Sequence, residues 1–194
     1  MNTVDNLKIK RIHKATMDIV YNEGFENLSL RQVAKLAKVS SGTPYVYYKD
    51  KQELLNTLCG ICLDVVTEGF QEVIEKANSL EEKFYTYIFH IAEMFCHVPL
   101  MVQYISKFRK SFSYLPETLE EKYKKLDEPL LHLCEEAIQE NLAKTSDIDL
   151  LQILLLSPLF HMFEHMEGAE EQFNPEIYEE CARLSVEAVL KKSE

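Results

Sequence analysis

Within 25 residues, from Ser29 to Glu53, the chain carries two capping boxes with a serine-rich turn between them, which commits this stretch to short helices joined by tight turns. Ser29 and Gln32 stand where a hydroxyl and a side-chain amide each satisfy a backbone N–H of a first helical turn. Val33, Leu36 and Ala37 follow at helical spacing, so a helix opens at Ser29. Asp50 and Glu53 repeat the box and open another helix with Lys51 in its first turn, where unpaired N–H groups and the helix dipole attract anions. Between them, Leu36 to Ser40 supplies a turn, and Ser40 or Ser41 is expected to cap a middle helix. Pro44 fits only the first turn of that helix, since it lacks an N–H and its ring clashes with a preceding carbonyl; a late start near Thr43 is therefore expected. No acidic residue lies between Ser29 and Lys49, while Ser41, Thr43, Tyr45, Tyr47 and Lys49 offer small or planar donors. Such a surface suits a polyanion, with first-turn side chains reaching base edges and tyrosines and lysines reaching phosphates. The stretch reads as a helix-turn-helix.

A net charge of −11 argues against nucleic acid only if it is spread evenly, and it is not. Residues 1–51 carry nine Lys and Arg against five Asp and Glu, a net +4, and residues 52–194 carry twelve against twenty-seven, a net −15. A basic head on an acidic body can meet DNA with one face while the body stays clear of it.

Val39-Ser-Ser-Gly-Thr-Pro-Tyr-Val-Tyr-Tyr-Lys-Asp-Lys-Gln-Glu-Leu-Leu55 resembles the signature of the TetR (tetracycline-repressor-like) family of bacterial transcriptional regulators. The resemblance runs from about Lys8 to Leu58 and takes in Ile12-His-Lys-Ala15 and Tyr21-Asn-Glu-Gly-Phe-Glu-Asn-Leu-Ser-Leu-Arg-Gln-Val-Ala34. It implies base or groove contacts for Arg31, Ser41 and Thr43, phosphate contacts for Ser29, Tyr45, Tyr47 and Lys51, and a core position for Tyr48. Two residues depart from the pattern. Lys38 stands where the family has a turn glycine, at a cost of about 1 kcal/mol if held at positive φ, and Pro44 replaces a leucine.

The expected fold is all-α, of about nine helices: a three-helix DNA-binding head over residues 1–51 and a helical ligand-binding and dimerisation region over 52–194. Ile9, Ile12, Ile19 and Val20 give the first helix an apolar face, and Gly24 ends it. A long helix is expected from Lys51 to about Ala77, placed to link the head to the body. Ser79 with Glu82 caps the next, and Pro99, Pro116, Asp147 and Pro175 mark later starts, with Pro129 predicting a kink or break and Pro158 a bend.

Most of the aromatic, Met and His side chains of the body are core by their spacing. The resemblance adds a pocket among its middle helices, for which Cys62, Tyr87, His90, Met94, Tyr104, Phe108, His132 and Phe163 are the candidate lining. Aromatic rings, Met and a few hydrogen-bonding groups suit a flat, apolar or aromatic effector. Leu151, Leu154, Leu155, Leu159, Met162, Phe163 and Met166 after Asp147, with Ile177, Cys181, Leu184, Ala188 and Val189 after Pro175, read as a homodimer surface closing a four-helix bundle.

Cys59 and Cys62 have the spacing of a redox or metal pair, and His161 and His165 lie one helical turn apart, but no four-ligand pattern forms; buried free thiols are expected, with no metal and no cofactor. No catalytic triad, phosphate loop or HExxH motif is present, so no enzyme is expected. Five cysteines without a dense pattern suit a reducing compartment, and Leu150 to Phe163, the most apolar run, is too short to span a bilayer, so a cytoplasmic place is expected. The functional expectation is a ligand-responsive transcriptional regulator, most simply a repressor gripping a pseudo-palindromic operator. The alternative is a protein-interaction adaptor whose DNA binding is weakened at Lys38 and Pro44.

Overall fold

The computed structural model describes residues 3–166 and 175–191. The side chains of His165 and Met166 lie outside the described residues. Among the described residues there are ten helices: α1 Thr3–Asn27, α2 Leu30–Leu36, α3 Thr43–Tyr47, α4 Lys51–Thr67, α5 Phe70–Glu75, α6 Leu80–His97, α7 Pro99–Ser111, α8 Glu117–Gln139, α9 Ile148–Met166 and α10 Pro175–Val189. The fold is all-α among the described residues, apart from one isolated bridge between Ala143 and Leu190. No single helix there is long and apolar enough to cross a membrane.

The chain divides into two compact units. The first joins Met1–Val66 to Val98–Tyr123, and so contains α1 to α4, α7 and the start of α8. Its core takes in the apolar face of α1, where Ile12, Ala15, Val20 and Phe25 are buried, together with buried Leu28, Val33, Ala34, Leu54, Leu55 and Leu58. Phe25 follows Gly24, whose φ of 80° and ψ of 171° break the helical run as expected and turn the ring inward. There it meets Tyr104, Phe108 and Phe112 edge-on at centroid distances of 5.4, 5.6 and 5.3 Å. Tyr104 is buried with its hydroxyl on the Leu55 carbonyl at 3.1 Å, so the polar end of the cluster is satisfied.

The second unit joins Thr67–His97 to Lys124–Glu194. In it α6 packs on α5, α9 and α10, and α9 on α10. Leu151, Leu155, Leu159 and Phe163 repeat at four-residue spacing down the buried side of α9, opposite Tyr178, Ala182, Val186 and Val189 of α10. Lys144 N–H donates to Val189 O and Lys191 N–H to Leu142 O, both at 2.8 Å, clasping the end of α10 to the loop after α8.

Two helical expectations differ from the structure. The helix expected over Lys51 to Ala77 stops at Thr67, because Gly69 takes a φ of 81° and restarts the chain as α5; an apolar stripe does not register one residue free to enter the left-handed region. The break allowed for at Pro129 is not taken, and α8 runs through it. Buried Leu130, Leu133, Cys134 and Ala137 hold the second half of α8 in place, and Tyr87 donates to the Leu126 carbonyl at 3.2 Å beside the disturbed turn.

Candidate nucleic-acid interface

The interface is assembled by local bonds. Ser29 and Gln32 form the full capping box, Ser29 N–H on Gln32 Oε1 at 3.0 Å and Gln32 N–H on Ser29 Oγ at 3.3 Å, which starts α2 and sets Arg31 exposed in its first turn. The helix ends in a Schellman turn: Val39 N–H reaches Ala34 O at 3.0 Å and Lys38 N–H reaches Lys35 O at 3.2 Å. Lys38 holds the left-handed position with a φ of 54°, and Arg11 of α1 donates to its carbonyl at 2.6 Å. These bonds offset the roughly 1 kcal/mol that a non-glycine residue costs there.

Pro44 sits in the first turn of α3, which starts at Thr43 as expected from the proline. The expected cap does not form. Gly42 is the N-cap, and Ser40 spends its hydroxyl on the Thr43 hydroxyl at 2.7 Å. The reason is again Pro44, whose missing N–H is one of the donors a Ser41 cap would satisfy. Ser41 therefore stands exposed in the turn before the helix. Tyr48 is extended and buried, with its hydroxyl 2.6 Å from His13 Nε2, and burial pushes its phenol up to about 12 and the imidazole down. α4 then opens on Asp50, which accepts Glu53 N–H at 2.8 Å, while Glu53 accepts Lys49 N–H at 2.6 Å.

Arg31, Ser41, Tyr45 and Lys49 are exposed. The hydroxyl of Thr43 is held by Ser40, that of Ser29 by Gln32 at 2.7 Å, and Lys51 Nζ lies 3.4 Å from Glu26 O. Tyr47 donates to Asp5 Oδ1 at 2.9 Å, and burial followed by Asp5 raises its phenol above the ordinary value. Sequence reasoning passed over Val46, the most exposed residue of α3 at 76%, because it selected hydrogen-bond donors and charges and an aliphatic side chain is neither. An aliphatic side chain on the outer side of such a helix can meet a thymine methyl group.

Of the eight expected pocket residues, Cys62, Tyr104 and Phe108 fold into the first unit, and Tyr87, His90, Met94, His132 and Phe163 into the second. Tyr87 stacks on Phe70 at 5.0 Å and Phe163 on Phe95 at 4.5 Å. His132 is exposed at a hollow of about 290 Å³ lined also by Thr67, Phe70, Gln71, Lys125, Glu128 and Pro129. Phe70 also packs on the His90 ring at 4.5 Å, and His90 Nε2 is buried without a hydrogen-bond partner among the described residues. Sequence reasoning missed the α5 wall of this hollow because it read the Gly69 region as unbroken helix.

Cys59 and Cys62 are buried, and Cys59 Sγ lies 3.5 Å from the Tyr123 hydroxyl, which donates to Ile105 O at 3.0 Å. Burial pushes the two thiols up to about 11 and about 12. At pH 8 a rise from 9 to about 11 leaves about a hundredfold less thiolate, so iodoacetamide should label both residues at least that much more slowly in folded protein than in urea, as read by mass spectrometry. Rapid labelling of the folded chain would revive a thiol-based reading. No group of three or more His, Cys, Asp or Glu side chains gathers to hold a metal among the described residues.

The model of the bacterial regulatory proteins of the tetR family matches residues 12–58. The Fatty acid metabolism regulator protein of Bacillus subtilis is 28% identical over 76 residues, a stretch spanning 39% of this chain and 39% of that protein. Among solved structures, a TetR family transcription regulator from Marinobacter aquaeolei superposes with a TM-score of 0.82 at 22% identity, over 99% of this chain and 100% of that one. The ketosteroid transcriptional regulator KstR2 of Mycobacterium tuberculosis does so at 0.80 and 14% identity, over 99% and 97%. Both share the fold.

Proposed function

The chain belongs to the tetR family of bacterial regulatory proteins through its head at residues 12–58, and on that premise we propose that it is a ligand-responsive transcriptional regulator, most simply a repressor. The observation that carries the proposal is the head itself: two short helices and the start of a third, fixed by a capping box, a Schellman turn and an Asp50 cap, leave Arg31, Ser41, Tyr45 and Lys49 exposed along a stretch free of acidic residues from Ser29 to Lys49. Thr43 and Arg31 read base edges, while Ser29, Tyr45, Tyr47 and Lys51 hold phosphates. The functional division falls near residue 51, and the acidic remainder carries the effector site and the dimer contact. Two copies pair through the exposed sides of α9 and α10, and each dimer grips two successive major grooves of a pseudo-palindromic operator in the cytoplasm.

The effector is an apolar or aromatic small molecule held by the body. Relatives named for fatty acid metabolism and for ketosteroids put acyl and sterol-like compounds first in a ligand screen by thermal shift. Its binding changes the separation of the two heads and releases DNA. The adaptor reading leaned on strain at Lys38 and Pro44, and both residues sit in conformations that accommodate them.

Selection from random duplexes should enrich a palindrome, and failure to enrich one would overturn the proposal. On the selected duplex, Lys51→Ala should weaken binding by about tenfold on every sequence tested, whereas Arg31→Ala should also relax preference at one position per half-site.

A further inference from the structure

We propose that Asp5 is an internal stand-in for a DNA phosphate, which engages the backbone-binding groups of the head until a duplex displaces it. The inference rests on the reading of the head as a DNA-binding surface. Asp5 lies in the first turn of α1, and its Oδ1 accepts the hydroxyl of Tyr47, the last residue of α3, at 2.9 Å across 42 positions of sequence. Lys8 Nζ lies 3.6 Å from the same oxygen. One carboxylate thus engages two groups that a sugar-phosphate backbone would use, a neutral donor and a cation.

The chemistry makes the contact exclusive. A tyrosine hydroxyl has one proton, so Tyr47 donates either to Asp5 or to a phosphate oxygen. A carboxylate left beside an arriving phosphate adds like-charge repulsion. Asp5 is also alone in its sign: it is the sole Asp or Glu within residues 1–17, and residues 27–49 contain none. A first-turn carboxylate steadies a helix through the dipole wherever its side chain points, so helix stability does not require the bond to Tyr47.

Backbone contacts are common to every duplex and supply essentially all nonspecific binding. A carboxylate that competes with them lowers the time spent on unrelated DNA and leaves base readout to decide where the protein stays.

The test compares wild type, Asp5→Asn and Asp5→Ala, each alone and with Tyr47→Phe, by fluorescence anisotropy on the selected operator and on a random-sequence duplex of equal length. Both Asp5 variants should tighten binding to both duplexes by about fivefold per head. The slope of log affinity against log salt should steepen by up to about one per head as Lys8 is released to a phosphate. With Tyr47→Phe in place, the gain should shrink to about twofold or less, because the hydroxyl under competition is gone. Unchanged or weaker binding by the Asp5 variants overturns the inference, as does a gain fully kept in the Tyr47→Phe background, which would make Asp5 a bare charge. If wild type binds neither duplex, the DNA reading falls with this one; if it binds both and Asp5 variants match it, only this inference falls.

Discussion

Phe108→Ala is expected to destabilise the protein by about 4 kcal/mol, the range measured for emptying a fully buried phenylalanine site. Phe108 has no exposed surface, and its ring lies 4.5 Å from Phe112, 5.6 Å from Phe25 and 6.0 Å from Tyr104. Removing it leaves a void among rings it meets edge-on at Phe25 and tilted at Phe112 and Tyr104, and such aromatic pairs each add about 0.5–1.5 kcal/mol beyond their buried area. The surroundings cannot close over the gap cheaply, since Tyr104 is tied to the Leu55 carbonyl and Phe25 leaves a backbone turn at Gly24. For a domain whose total stability is on the order of 5–15 kcal/mol, that loss is a large share, and urea unfolding followed by circular dichroism should show the midpoint fall accordingly. The measurement also separates two roles. A residue lining an open effector pocket loses ligand binding and little stability, so a loss under about 1.5 kcal/mol with altered ligand response would return Phe108 to the pocket.

Leu184→Glu should split the proposed dimer and lower operator affinity by at least about a hundredfold, because joining two heads raises the effective concentration of the second by factors of that size. The surface is divided in a way the apolar spacing did not show. Of the residues expected at the dimer contact, Leu151, Leu155, Leu159, Phe163 and Val189 are buried within their own chain, and Met162 and Cys181 are half-buried. What remains outward is Leu154, Ile177, Leu184 and Ala188, joined by Leu150 and Ile153, with Leu184 51% and Ile153 56% exposed. A glutamate at the centre of such a contact buries a charge with no partner. Light scattering on the eluting peak should report a monomer with unchanged helical content, and a Leu184→Glu protein that stays dimeric and binds operator like wild type would remove α10 from the contact.

Local chemistry accounts for what was legible in advance. The caps at Ser29 and Asp50, the late start at Thr43, the break at Gly24 and the strained position of Lys38 all depend on groups within about five residues of one another, and such bonds form with little reference to the rest of the fold. Where a local reading failed, a neighbouring residue had been left out of it. The expected cap does not form, because Pro44 lacks an amide that Ser41 would have satisfied and the Ser40 hydroxyl pairs with that of Thr43, and the long fourth helix ends because Gly69 enters a region that a hydrophobic stripe does not register.

For the candidate site the sequence names groups able to bond, and does not say which of them are already bonded. Chain order alone shows that Tyr47 can donate, but not that Asp5, 42 positions earlier, accepts from it. It leads to an expectation of buried thiols at Cys59 and Cys62, but not to the Tyr123 hydroxyl, 64 positions later, that lies beside Cys59. By itself the sequence determined the helical class, the turn and caps of the head and the segregation of charge, because periodicity, capping and net charge are properties of near neighbours and of sums. Tertiary structure alone decided which aromatic rings became core, which side of α9 stayed outward and which donors were already taken, because burial and pairing depend on residues brought together from distant points of the chain.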